Sequence, residues 1–151
     1  MIDRERLRAA LAELGFDDVR FAAAAPAVRG ALPEWLAAGM QADMAWMART
    51  GPKRLDPQLV LPGAKTVIML GVSYWSERLR FSPRPAAAPR WARYALHEDY
   101  HDTIAPALAA AGKILQSYGD TPDDHRWYVD TGPVLERSWA ARGRRTPSPT
   151  A

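Results

Sequence analysis

An α+β fold, in which helices cover a mixed β-sheet, is the class this sequence predicts, on three observations. Apolar residues recur at helical spacing in several segments. The run "KTVIMLGVSYW", 65–75, is apolar at nearly every position and rich in β-branched residues. Helices and strands alternate without the regular βαβ rhythm or the Gly-rich phosphate loop of a Rossmann fold.

Taken in order, Leu7, Ala10, Leu11 and Leu14 make one apolar stripe and Gly15 supplies a stop, which predicts an amphipathic helix over 3–14. "DDVRFAAAA" reads as a strand. "LPEWLAAGMQADMAWMART" sets Pro33 at a helix start and predicts short helices around a break at Gly39. "GPKRLDPQLVLPGA" is expected to be a loop, and 65–75 a central strand covered on both faces. Residues 76–92 are Pro/Arg/Ala-biased, which predicts an irregular loop with the composition of a lid. "HEDYHDTIAPALAAAGKILQSYG" returns to helical spacing through Ile104, Leu108, Ala111 and Leu115, with a kink or late start at Pro106 and an end at Gly119. "HRWYV" is expected to be a short strand, "PVLERSWAA" a helix with Pro133 first, and "RRTPSPTA" a disordered tail.

A chain of 151 residues can bury a core without disulfides. It contains no cysteine, which excludes thiolate catalysis, cysteine-ligated zinc and a cysteine-held iron–sulfur cluster within this sequence. No run approaches the roughly 20 apolar residues that span a bilayer. The N-terminus lacks the apolar core of a signal peptide, so a cytoplasmic, monomeric protein is the expectation. A formal charge of +3 is compatible with a polyanionic partner and does not demand one.

Four stretches raise chemistry. "HEDYH", 97–101, satisfies H-E-x-x-H, which on one helix would set His97 and His101 a turn apart to hold zinc while Glu98 activates water. A third ligand is not positioned, and Glu98 and Asp99 are better explained as acids at the positive end of a helix. Arg49 in "MAWMART" could point at an anion, though an apolar patch anchoring a short helix is the plainer account; Arg90, Arg93 and Tyr94 in "PRWARYAL" could grip a phosphate or stack on a base, though a solvated face is the more frequent outcome. Asp130 stands at a strand end before a helix N-terminus, where sheets of this kind place ligands. It either caps that helix, which would lower its pKa, or serves as a catalytic acid, which needs burial to raise it.

In combination the motifs are more specific. "GMQADMAWMART", "LVLPGAKTVIMLGVSYW", "RYALHEDYHDTIAPAL" and "WYVDTGPVLERSWAARG" resemble, in order and spacing, the N-terminal part of epoxyqueuosine reductases, from about residue 2 to Gly143. The resemblance implies a cobalamin-dependent enzyme that removes the epoxide oxygen from epoxyqueuosine in a tRNA anticodon loop. It also implies that residues 1–143 are the incomplete N-terminal part of a cobalamin-binding domain. Asp130, the acid of V-D-x-x-P-x-L-E-R, is then the expected proton donor to the opening epoxide. Arg49, Tyr94, Asp99, Tyr100, His101 and Arg137 are the expected cobalamin-contacting positions, and no metal-ligating residue is expected.

Members of that family continue with a glycine-rich stretch, the rest of the cobalamin domain and a ferredoxin-like domain whose cysteines hold two [4Fe–4S] clusters. Here "RRTPSPTA" follows Gly143, which is expected to reflect a frameshift or early stop in a longer gene. Without cysteines the chain cannot hold the clusters, and no independent turnover is expected. Two other classes stay open: a non-catalytic corrinoid- or tRNA-binding module, and a zinc hydrolase through His97 and His101.

Overall fold

The structure, a computed structural model, describes residues 3–26, 31–75, 89 and 91–143. Arg90, the expected tail at 144–151 and most of the expected lid, 76–88 and 90, lie outside the described residues.

The first helix, α1 (Arg4–Ala12), is opened by Asp3, whose carboxylate accepts from the backbone N–H groups of Glu5 at 2.9 Å and Arg6 at 3.3 Å. Its buried residues are Leu7 and Leu11, two members of the predicted stripe. Gly15, at φ +96°, turns the chain into β1 (Asp18–Ala23). β1 pairs antiparallel with β2 (Thr66–Gly71), with Phe21 opposite Ile68 and Val19 opposite Leu70. Among the described residues the sheet has these two strands only, so the mixed sheet of the sequence reading reduces here to one antiparallel pair.

Because a strand alternates its side chains between faces, Val19 and Phe21 point one way and Arg20, Ala22 and Ala24 the other. The first face packs against α1 and against α4 (Tyr100–Ser117) in one cluster of Leu7, Leu11, Phe16, Val19, Phe21, Leu108 and Ala111. The second face is covered by α5 (Glu136–Gly143), whose Trp139 is 2% exposed. Arg142 of α5 donates to the Ala25 and Pro26 carbonyls, both at 2.9 Å, and fastens the helix to the end of β1.

Two helices flank this sandwich, α2 (Leu32–Ala37) and α3 (Ala45–Leu55), with Gly39 at φ +69° between them as the sequence pattern anticipates. α3 runs on through Gly51 and Pro52, where a loop was expected. The lost N–H of Pro52 costs the helix one backbone bond, while Gly51 is buried against Leu36 of α2, the packing that holds this turn. Beyond α3 the L-P-G segment is pinned by Gln58, whose amide donates to the carbonyls of Ala64 at 2.7 Å and Ala24 at 3.2 Å and accepts from Gly63 N at 2.9 Å.

Three further expectations are corrected. β2 is half-exposed rather than covered on both faces, because its outer edge has no strand beside it among the described residues. "HRWYV", 125–129, is irregular: it pairs with neither strand, and only Val129 packs on the core. The last helix begins at Glu136 rather than Pro133, since Gly132 and Pro133 form a bend first.

Candidate functional site

A cleft of about 2150 Å³ follows the free edge of β2. Its lining is apolar on both sides of that edge, from Ile68 and Leu70 of β2 beside Phe21 of β1 on one face and from Val67 and Met69 on the other, and it extends to the start of α4 and the segment 123–136. Tyr74, Trp75, Tyr94 and Tyr100 give one wall an aromatic surface.

The start of α4 is built by Asp99. Its carboxylate caps the helix by accepting from the His101 backbone N–H at 2.8 Å and meets His101 Nδ1 at the same distance. These two bonds hold the Asp99 carboxyl below its ordinary range, the backbone bond acting most strongly. With the helix starting at Tyr100, His97 lies outside it, and its Nε2 sits 3.1 Å from the Tyr74 carbonyl. The one-helix geometry that zinc binding by H-E-x-x-H requires is therefore not formed. Among the described residues no group of three or more His, Cys, Asp and Glu side chains is placed to hold a metal ion.

Tyr100 faces the opposite wall. Its phenol donates to Asp130 Oδ2 at 2.9 Å, joining two motifs 30 residues apart in the chain. That hydrogen bond to Asp130 pushes the Tyr100 phenol above its ordinary pKa, because ionisation would break it, and the nearby carboxylate charge acts in the same direction. The ring is fixed by neighbours: Tyr94 meets it edge-on at 6.2 Å, Tyr74 meets Tyr94 at 6.4 Å, and His101 stacks on it at 4.2 Å.

Asp130 is held by a tight bend. It adopts φ +55°, a left-handed conformation that aspartate tolerates better than most residues. Next to it Gly132 lies under the Tyr128 ring, so close that a Cβ there would collide with the ring. Asp130 is exposed, and its carboxylate is spent on Tyr100 rather than on a helix terminus. The capping account of Asp130 is thereby replaced, since α5 starts six residues later.

Two cleft residues escaped the sequence reading, Arg54 and Glu136. Arg54 lies on the part of α3 expected to be a loop. Its guanidinium donates to Thr50 Oγ1 at 3.1 Å and to the Val134 carbonyl at 3.2 Å, and lies over the Trp46 ring at 5.3 Å. It ties α3 to the segment that carries Asp130. Glu136 is half-buried, and burial first, with the nearby Asp130 charge in support, raises its carboxyl above the ordinary range against the pull of its own backbone N–H and of Arg54. The neighbouring L-E-R letters were the available signal.

Of the sequence-named residues, the structure brings Tyr94, Tyr100 and Asp130 to the cleft wall. Asp99 and His101 stand just behind it as the cap of α4. Arg49 and Arg137 are exposed and outside the cleft lining.

The model of a family described as "Epoxyqueuosine reductase QueG, DUF1730" matches residues 54–131 of this chain, from Arg54 through the Asp130 bend. The chain belongs to this family. Among curated relatives, the epoxyqueuosine reductase of a Synechocystis strain is 42% identical over 74% of this chain and 37% of its own length. That of a Synechococcus strain is 37% identical over 90% of this chain and 42% of its own length. The epoxyqueuosine reductase of Gloeobacter violaceus is 40% identical over 84% of the chain and 39% of its own length. The chain thus spans about two fifths of the length of the epoxyqueuosine reductases it matches. No solved structure matches it significantly. No helix among the described residues is long and apolar enough to cross a membrane.

Proposed function

We propose that this chain carries the proton-handling wall of an epoxyqueuosine reductase site, acting in the reduction of epoxyqueuosine to queuosine in tRNA. The observation that carries the reading is the Tyr100–Asp130 hydrogen bond beside a large apolar cleft, because it assembles residues from two family motifs at one point. Expelling an epoxide oxygen develops alkoxide charge, and a placed proton donor speeds such a step by about a hundredfold or more. Asp130 is the residue we assign to deliver that proton.

Cobalamin is the cofactor we assign, and the cleft fits it in size and chemistry. The β2 side chains and the aromatic wall suit the broad apolar faces of a corrin, and about 2150 Å³ is ample for a ligand of that class. Tyr94, Tyr100 and the β2 residues would border it, with Asp99 and His101 bracing the wall. Arg49 and Arg137 would reach it only from the periphery. When bound, cobalamin supplies the redox chemistry, and the chain's own residues bind, orient and protonate.

tRNA is the partner we assign, and residues 1–143 are read as part of a cobalamin-binding domain in a cytoplasmic, monomeric protein. Arg93 over the exposed Trp75 ring at 4.3 Å gives the cleft mouth a cationic, stacking surface suited to a nucleobase. With no cysteine to hold a cluster, the chain is expected not to turn over unaided.

Titrating the 151-residue chain with cobalamin tests the reading. A saturable change in the visible corrin spectrum is expected. A spectrum that stays that of free cobalamin at every protein concentration would remove the cofactor assignment.

A further inference from the structure

The assignment of Asp130 as proton donor leaves a question that the geometry itself raises. A carboxyl keeps a proton near neutral pH when it is buried among apolar groups, and Asp130 is exposed. Its one polar side-chain partner among the described residues is the Tyr100 phenol, which points a proton at Oδ2 from 2.9 Å. Phenols hold their proton throughout the neutral range.

We propose that Tyr100 is the proton-holding partner of Asp130, so that the acid of this site is the pair, with the proton resting on the phenol and passing through the carboxylate. The inference rests on the epoxyqueuosine reductase reading and extends it to the source of the proton.

Deoxygenating an epoxide to an alkene breaks two C–O bonds, takes up two electrons and two protons, and releases one water; the electrons come from a reduced corrinoid. The first proton meets the alkoxide. As the Tyr100 O–H bond breaks, Asp130 Oδ2 gains that proton, and the carboxyl, neutral for the moment, turns about its Cβ–Cγ bond and delivers the same proton from Oδ2 to the substrate oxygen, becoming a carboxylate again. The negative charge moves from alkoxide to phenolate. An alkoxide is the stronger base, so the transfer runs downhill, and the phenolate, open to solvent at the cleft, recovers its proton from water.

The surroundings favour a proton on the phenol. Asp130 raises its pKa most, with smaller effects in the same direction from burial and from Tyr94 and Asp99. On the Asp130 side of the pair, Glu136 feels the Asp130 charge, and Arg54 in turn acts on Glu136. Asp130 also gains from the arrangement: its left-handed backbone and the Tyr128–Gly132 contact fix the carbon skeleton, and the phenol fixes which oxygen faces inward.

A phenolate titration of the 151-residue chain decides the matter. Absorbance is followed from neutral to alkaline pH, and the Tyr100 component is the one that Tyr100→Phe deletes. In the wild type that component is expected to ionise later than an ordinary phenol, and Asp130→Asn should bring it down. A role for Tyr100 in ring packing alone would leave its ionisation unmoved by Asp130→Asn. A Tyr100 component that ionises in the ordinary phenol range, or that is indifferent to Asp130→Asn, would overturn the proposal. The titration needs no corrinoid, so failure to bind cobalamin would sink the functional reading and leave the pair standing.

Discussion

The two strands of the sheet are unequal in a way their sequences reverse. β1, "DVRFAA", contains an aspartate and an arginine, yet Val19, Phe21 and Ala22 are buried. β2, "TVIMLG", has no charged residue, yet no position in it is buried. Residues directly opposite one another differ accordingly, Phe21 at 7% exposure against a half-buried Ile68. Burial is conferred by neighbours. β1 lies under α1 and α4 on one side and α5 on the other, whereas the outer edge of β2 opens into the cleft. Among the described residues the apolar character of β2 is thus left uncovered, a surface suited to a ligand or to another polypeptide segment.

The comparison can be broken by truncating the paired residues. Phe21→Ala should cost about 3–5 kcal/mol, as is typical of a buried phenylalanine, while Ile68→Ala should cost roughly 1 kcal/mol because its far side already meets solvent. Urea unfolding of both variants measures the difference. Equal losses would mean that β2 is covered in solution by something the described residues lack. A cofactor seated in the cleft should raise the cost of Ile68→Ala more than that of Phe21→Ala, because Phe21 also lines the cleft but is already buried.

A smaller effect probes the joint between the two regions. Gly112 of α4 faces the His125 ring, and a Cβ there would stand 2.7 Å from Nε2. Gly112→Ala should therefore push the 123–130 segment off α4, at about 1–3 kcal/mol as for overpacked sites. The tell-tale would be loss of the late-ionising tyrosine, because Tyr100 and Asp130 sit on the two sides of that joint. Retention of that signal at full stability would show that His125 simply rotates away.

The smallest concerns Glu136. Its carboxyl is raised in the folded chain, so the folded state binds the proton more tightly than the unfolded state does. The associated stability is complete below the ordinary carboxyl range and is lost as pH rises through the folded value. Glu136→Gln should flatten that decline. Thermal melts of both proteins from pH 4 upward check it, and parallel curves would count against a half-buried Glu136.

Legibility in the sequence followed the range of the signal. α1, α4 and both strands were readable because each carries its own periodicity or β-branched run, and Gly15, Gly39 and Gly119 take the positive φ that turns require. "HRWYV" was misread because its aromatic residues belong to a cleft wall, and composition alone cannot separate that from a strand. Arg54 was missed for a related reason: Gly51 and Pro52 look like a helix end, yet α3 runs through them to the arginine with Gly51 packed against Leu36 of α2. Within the site, Asp130 was named from its place ahead of a helix and Tyr100 through a family motif, but their hydrogen bond spans 30 residues and has no local signature. The exposure of Asp130, which moves attention from the carboxyl to the phenol, could be read only from the fold.

The clasp between α5 and β1 has a consequence in time. Arg142 reaches carbonyls 117 and 116 residues earlier, and Gly143 presses on Arg20. Contacts of such separation form late, after shorter loops have closed. A ribosome must therefore release nearly all of the described chain before one face of β1 can be roofed. Until then Ala22, Ala24 and their strand are exposed, so the interval between synthesis of β1 and arrival of Trp139 is when a chaperone would matter most.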